Sequence, residues 1–305
     1  MTLLKNIFNM TTCTITFLYL ALLINPAQML SALIRPFSTK AFRAVNNWCA
    51  RSIFGIWVLM AEKDAKIELV FTGDEIPKRE NAILICNHQS MADVMLLLCF
   101  AWRCCRIGDI KFFVKDIIKY IPGVGWGMHF LDCIYVKRNW TQDKAGIQKL
   151  FGKFKREQIP IFLVSFLEGT RVKPSKLKKA QAFAASRGMY VPQHTLVPRT
   201  KGFVASMQGL GDHLNAVYDM TIGYPEGVPR LVDCYLHKVK RIEINIKRYP
   251  IADFAEMDEA QLNTWVFDRY QEKDKRLAAF AKTGAFEDEP SLGPIHYKEW
   301  LAGLH

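Results

Sequence analysis

From Glu62 onward, short apolar runs alternate with longer mixed stretches, the pattern of an α/β domain in which strands feed the helices that cover them. The runs at 67–71, 82–86, 111–114, 133–136, 161–166, 216–222 and 241–246 predict strands, several of them apolar on both faces, as central strands covered by helices are. Apolar positions at helical spacing predict helices over 92–102, 142–156, 175–187 and 259–282. No repeat or low-complexity stretch interrupts the pattern, and the tail over 284–305 reads as a loosely packed extension.

The first sixty residues follow a different rule. Residues 6–34 carry no charged side chain, enough apolar chain for a bilayer-spanning helix. Pro26 lies inside the stretch and kinks a helix, so a straight span and a helix broken near Asn25-Pro26 that re-enters the membrane both fit. A signal peptide fits less well: the stretch exceeds the roughly 7 to 15 apolar residues of that type and ends without a small-x-small cleavage site. Arg35, Lys40, Arg43 and Arg51 follow the segment and only Lys5 precedes it, which places everything downstream in the cytosol. The second apolar stretch, 52–61, is too short to span. It reads either as an interfacial or re-entrant helix, with Trp48 and Trp57 at headgroup level, or as a buried core helix. Three parts result: N-terminal membrane-anchoring helices over 1–61, one catalytic-size α/β domain over 62–286, and a C-terminal extension over 287–305.

Composition narrows the partners. The 305 residues are 50% hydrophobic and 23% charged, which excludes intrinsic disorder. Forty-one Lys and Arg against 29 Asp and Glu give a net charge of +12, so an anionic partner is expected: nucleic acid, a membrane surface or a phosphorylated substrate. The 8 Cys form no C-x-x-C pair and the 7 His are dispersed, which suggests a reducing compartment and no metal site.

The chemistry concentrates in Asn87-His88-Gln89-Ser90-Met91-Ala92-Asp93, directly after a predicted strand and before a predicted helix. The spacing lets the chain fold back so that the Asp93 carboxylate meets one imidazole nitrogen of His88 and the other faces outward. A carboxylate there fixes the tautomer and stabilises the imidazolium formed when the ring takes a proton. Ser90 is placed to cap the following helix. Taken alone, such a histidine more commonly caps or packs. A second motif, Glu168-Gly169-Thr170-Arg171, follows another apolar strand: Arg171 offers a planar fork to a phosphate and Gly169 permits close backbone approach, the competing reading being a Glu168–Arg171 ion pair. Lys173, Lys176, Lys178 and Lys179 come next and suit the phosphates of a ligand, anionic headgroups or simply water. No G-x-S-x-G elbow is present, against the commonest serine-hydrolase arrangement.

Together, the His88 motif, the run Phe166 to Arg171 (FLEGTR) and the run Leu196 to Phe203 (LVPRTKGF) resemble the PlsC-type 1-acylglycerol-3-phosphate acyltransferase family. YIPGVGW from Tyr120, KRNWTQD from Lys137, AVYD from Ala216 and YQEKDKRLAAFAKTGAF from Tyr270 resemble its lysophosphatidate and lysocardiolipin acyltransferase subgroup, so the likeness spans residues 67–286. The resemblance implies a central mixed sheet flanked by helices. It implies direct transfer from an acyl-CoA cosubstrate to a lysophospholipid hydroxyl, with no further cofactor, with His88 as general base and Asp93 orienting it. It also implies substrate contacts from Asn87, Ser90, Glu168, Gly169, Thr170, Arg171, Pro198 and Lys201. The chain departs from the family at Phe130-Leu131-Asp132-Cys133, where the usual arginine is missing and Lys137 or Arg138 is expected to supply the charge.

The leading reading is therefore a membrane-bound enzyme, of the bacterial inner membrane or endoplasmic reticulum, that converts lysophosphatidate to phosphatidate. Another lysophospholipid acceptor, a CoA-independent transacylase and a catalytically idle lipid binder stand as alternatives. A nucleic-acid binder does not explain the uncharged N-terminal stretch and lacks a recognisable platform.

Overall fold

The computed structural model describes residues 15–16, 18–137, 139–287 and 290–292. They are organised around an eight-stranded sheet of order β4-β3-β5-β2-β6-β7-β1-β8. Its strands are β1 (Glu68–Gly73), β2 (Ala82–Cys86), β3 (Ile110–Lys115), β4 (Ile134–Val136), β5 (Phe162–Ser165), β6 (Ala216–Gly223), β7 (Arg241–Pro250) and β8 (Pro290–Leu292). The strands from β4 to β6 are mutually parallel, β7 runs antiparallel to β6, and β1 is parallel to β7, so the sheet is mixed. All seven expected strands are present, and β7 continues to Pro250. The eighth was not expected: β8 pairs antiparallel with β1 inside the predicted loose tail, and just before it Phe286 is buried with its backbone N–H on Glu243 Oε2 at 2.7 Å.

The helices are α1 (Asn25–Ser31), α2 (Thr39–Leu59), α3 (Ala92–Arg103), α4 (Val124–Phe130), α5 (Trp140–Arg156), α6 (Pro174–Ser186), α7 (Lys201–Leu210), α8 (Leu231–Tyr235) and α9 (Glu259–Thr283). The four predicted downstream helices are α3, α5, α6 and α9; α4 and α7 each contain two glycines, which weaken helix propensity and hid them. α2 and α3 cover one face of the sheet and meet Leu84 and Cys86, while α5, α7 and α9 cover the other and meet Ile83 and Ile85. Strand β2 is therefore buried throughout and alternates its side chains between two cores.

The N-terminal segment departs from the expected membrane helices. Among the described residues no helix is long and apolar enough to cross a membrane. Residues 1–14, which include the first part of the expected span, lie outside the described residues. The chain changes geometry where Asn25-Pro26 predicted a break: a π-helical turn ends at Ile24, and Pro26 occupies the first turn of α1, where a missing N–H costs nothing. After a turn over 32–37, α2 packs back on α1. Asn46 Nδ2 donates to Ser31 Oγ at 2.8 Å between the two helices, and Ile24, Cys49 and Ile53 pack beside it. α2 is long enough to span but carries Lys40, Arg43 and Arg51. In the stretch 52–61, Ile53, Val58 and Ala61 turn into the core while Ile56, Trp57, Leu59 and Met60 stay partly exposed.

Candidate active site

His88 leaves the carboxyl end of β2 as the chain turns into α3, and Asp93 lies in the first turn of that helix. His88 Nδ1 is 2.9 Å from Asp93 Oδ2, and the same oxygen accepts the backbone N–H groups of Gln89 at 2.7 Å and Ser90 at 2.9 Å. Since a carboxylate only accepts, Nδ1 carries the proton and Nε2 is left as the basic nitrogen. The other carboxylate oxygen accepts the buried Tyr224 hydroxyl from just beyond β6. Burial and the neighbouring Asp93 charge push the Tyr224 phenol well above its ordinary range, which keeps it a donor. The imidazole also stacks on Phe166, with ring centroids 4.0 Å apart. Asp93 is fully buried while 13% of the His88 side chain is exposed, so an oriented base meets an open cleft.

Three residues expected to touch substrate turn inward. Asn87 exchanges two hydrogen bonds with the backbone of Ile222, at 3.0 and 2.8 Å, and pins the end of β2 to β6. Ser90 Oγ accepts from Ala92 N at 3.1 Å and donates to the Pro229 carbonyl, so it holds the loop before α8 rather than capping α3, whose turn Asp93 closes. Glu168 is 2% exposed and accepts the His88 N–H at 3.0 Å and, more weakly, the Leu196 N–H at 3.3 Å. Burial pushes its carboxyl well above the usual range, against the pull of those two N–H groups. Its place in the sequence beside Arg171 suggested an ion pair; the fold turns Glu168 in and Arg171 out. A strand end that buries its backbone needs such polar partners, which is why these residue types occur here without meeting solvent.

The cleft has a volume of about 1110 Å³ and opens at the carboxyl ends of β2, β3 and β5, where open α/β sheets bind ligands. Gly169, Thr170, Arg171, Pro198 and Lys201 line it together with His88, as the sequence suggested. Gly169 has φ +67°, and a Cβ there would press on the Arg199 side chain at 3.2 Å, so glycine is needed both for the turn and for the approach of that guanidinium. Lys115, at the end of β3, also lines the cleft and was not anticipated. Of the two cations expected from the second block, Lys137 does not line the cleft and Arg138 lies outside the described residues; Asp132 of that block is bound to Arg43 and Lys153. Among the described residues, Lys115, Arg171, Arg199 and Lys201 thus face one lining acid, Asp143.

Helix α9 braces this wall from behind. Asp274 accepts the backbone N–H groups of Gln193, His194 and Thr195 at 2.9, 2.7 and 2.9 Å, which fixes the loop leading to Pro198. One residue earlier, the fully buried Lys273 pairs with Asp219 of β6, and the Tyr270 hydroxyl donates to the Cys86 carbonyl at 3.0 Å. Chemically, the cleft joins an oriented base to a cationic wall: it suits proton removal from a neutral nucleophile on an anionic ligand.

The comparisons agree with that class of chemistry. The family model described as Acyltransferase matches residues 68–224, and the model described as Acyltransferase C-terminus matches 235–300. The chain belongs to the acyltransferase family. It is similar to the Arabidopsis thaliana protein named probable 1-acyl-sn-glycerol-3-phosphate acyltransferase 5, at 32% identity over 272 residues covering 89% of this chain and 72% of that one. It is also similar to lysocardiolipin acyltransferase 1 of Danio rerio, at 30% identity over 81% of this chain and 66% of that one. Among solved structures, the 1-acyl-sn-glycerophosphate acyltransferase PlsC of Thermotoga maritima shares the fold, with a TM-score of 0.51 at 17% identity over 92% of this chain and 98% of that one.

Proposed function

We propose that the protein transfers a fatty acyl group from acyl-CoA to the free hydroxyl of a lysophospholipid, with 1-acyl-sn-glycerol-3-phosphate as acceptor and phosphatidate as product. The observation that carries this reading is the His88–Asp93 pair opening on a cleft wall of Arg171, Arg199 and Lys201. His88 Nε2 takes the acceptor hydroxyl proton and the oxygen attacks the thioester carbonyl. The tetrahedral intermediate expels the CoA thiolate, and the proton on His88 returns to that sulfur. A thioester is already activated, so no acyl-enzyme is required and alignment of the two substrates supplies much of the rate. Arg171 and its neighbours hold the acceptor phosphate, as a fork of charged donors suits.

The reading includes a membrane. Leu22, Leu23, Leu30, Leu33 and Phe37 form an exposed apolar margin on the N-terminal helical hairpin, with Phe37 at 89% exposure, and Ile117, Tyr120 and Trp126 expose apolar surface on the segment from β3 to α4. Exposed apolar groups gathered in this way support seating on a bilayer, where the acyl chains of both substrates reside.

The test follows CoA release by detergent-solubilised protein given oleoyl-CoA and a panel of lysophospholipids, lysocardiolipin included, with His88→Ala alongside. Release dependent on lysophosphatidate and lost in His88→Ala is the expected result. Release with another acceptor moves the substrate and keeps the mechanism, and absence of acceptor-dependent release with any of them overturns the acyl-CoA reading.

A further inference from the structure

A second cationic cavity, of about 500 Å³, opens at the opposite end of the sheet, where α2 crosses the loops that enter β2, β3 and β5. Lys40, Arg43 and Arg51 line it from α2, Arg79 and Arg106 from the loops before β2 and β3, and Lys111 from β3 itself, against a single lining acid, Asp109. Asp109 is engaged by Arg106 at 3.1 Å and by Asn47 at 2.8 Å, while Arg43 is shared between Asp132 and Glu157. Lys40, Arg79 and Lys111 have no carboxylate partner among the described residues.

Lys111 is the informative member. It is 4% exposed, and its ammonium reaches only the Asp109 carbonyl, at 3.3 Å, and the Phe154 ring face, at 5.7 Å. A buried cation with no carboxylate in ion-pair contact is costly: burial lowers the affinity of Lys111 for its proton, and the charges of Asp109 and Asp132, acting at longer range, offset this only in part. An anion in the cavity supplies the direct contact that neither carboxylate makes. A neighbouring crevice of about 270 Å³ shares Phe130 with the cavity and is completed by Met29, Lys119, Trp126 and His129 beside the exposed α1 margin; Lys119 is held by Asp116 at 2.8 Å, which leaves the crevice largely apolar. A soluble phosphate has no use for that crevice, whereas an acyl chain has.

We propose that this cavity binds the headgroup of an anionic phospholipid whose chain runs along the crevice, at a site separate from the catalytic cleft. The cavity and the cleft lie at opposite ends of β3 and β5, and their linings share no residue. Basic pockets beside membrane-seated helices are suited to such headgroups. The site does not depend on the acyl-transfer reading, since its occupant need be neither acceptor nor product.

The experiment uses the full chain in nonionic detergent, titrated with short-chain phosphatidylglycerol, with phosphatidylcholine of the same chain length, and with inorganic phosphate alone, and reads thermal unfolding. Phosphatidylglycerol is expected to raise the midpoint saturably, and the other two to leave it unchanged. Lys111→Met, which keeps the side-chain volume, is expected to match or exceed the wild-type midpoint without lipid and to bind phosphatidylglycerol at least tenfold more weakly; Arg79→Gln at the rim weakens binding in the same direction. His88→Ala and Arg171→Gln are expected to bind it as the wild type does. An equal response to inorganic phosphate overturns the lipid assignment. So does binding that is unchanged in both Lys111→Met and Arg79→Gln, or that disappears with Arg171→Gln.

Discussion

The two sides of the catalytic cleft are built on opposite plans. The turn from Asn87 to Asp93 is closed: Asp93 accepts four donors, Asn87 and Ser90 are consumed by backbone, and Glu168 holds the His88 N–H from below. Across the cleft, Arg171, Arg199 and Lys201 have no side-chain partner among the described residues, although the loop beneath them is tied down by Asp274. The difference follows from what each side must do. A base has to be oriented before the reaction, so its donors are satisfied within the protein. Groups that bind a phosphate gain most when their donors are left for the ligand. Changes in the turn are therefore expected to act on kcat and changes in the wall on KM.

The largest effect belongs to Asp93→Asn. The amide keeps the volume but cannot stabilise the imidazolium, and the proton it now presents competes for the place of an acceptor. A fall in kcat of about a thousandfold or more is expected, on the scale of such substitutions in hydrolytic triads, with KM for both substrates within a few-fold. Steady-state kinetics at saturating acyl donor measures both, and a rise in acceptor KM at unchanged kcat breaks the division. Next comes Arg171→Gln. Loss of a charge-assisted pair of hydrogen bonds costs about 1.5 to 3 kcal/mol, or roughly 10 to 100-fold in kcat/KM, carried by KM. The sharper measurement uses monoacylglycerol, an acceptor without the phosphate: Arg171→Gln should leave its turnover unchanged.

Much of this was legible in the chain, and the part that was not has a common cause. His88 and Asp93 lie in one turn between a run apolar on both faces and an apolar helix, so their meeting is a local matter of spacing. The central strands β2 and β5 were readable for a similar reason, since burial on both faces leaves uninterrupted apolar runs. What sequence could not supply is which way a polar side chain turns once burial is decided elsewhere. Asn87, Ser90 and Glu168 have the right chemistry for a ligand and are spent on backbone groups exposed by strand ends far along the chain. Tyr224 lies 131 positions from Asp93 and Asp274 lies 84 from Tyr190, so no local pattern announces either contact. In the apolar N-terminal stretch the break near Asn25-Pro26 was legible, whereas the burial of Asn25, Gln28 and Ser31 together with Asn46 depends on a helix later in the chain.

Glu168 supplies a smaller test of the closed side, read in stability. Its carboxyl pKa is raised on folding. Its contribution to stability is thus fully present below the ordinary carboxyl range and is lost as pH rises towards the folded value, because the unfolded chain releases a proton the folded chain still holds. Glu168→Gln keeps the oxygen facing the His88 N–H and has no proton to release. Stability of the wild type relative to this variant should fall by roughly 1 kcal/mol per pH unit upward from about pH 5, measured by urea unfolding across pH. A difference independent of pH shows that Glu168 ionises as readily in the fold as outside it.

The smallest effect separates holding a residue in place from tuning it. Tyr224 is not among the residues that line the cleft, and its hydroxyl reaches the base through its hydrogen bond to the outer oxygen of Asp93. That bond draws charge from the carboxylate. Tyr224→Phe concentrates the charge on the oxygen facing His88, which favours the imidazolium. A general base must be neutral to act, so the acidic limb of kcat/KM is expected to move to higher pH while the rate on the plateau falls only a few-fold. A merely structural tyrosine predicts a different outcome: lower stability and a lower plateau with the limb unmoved. The direction of the limb decides the matter. Movement to lower pH means that the Tyr224 hydroxyl strengthens the hold of Asp93 on His88 instead of weakening it, and that the closed side of the cleft is tuned for orientation alone.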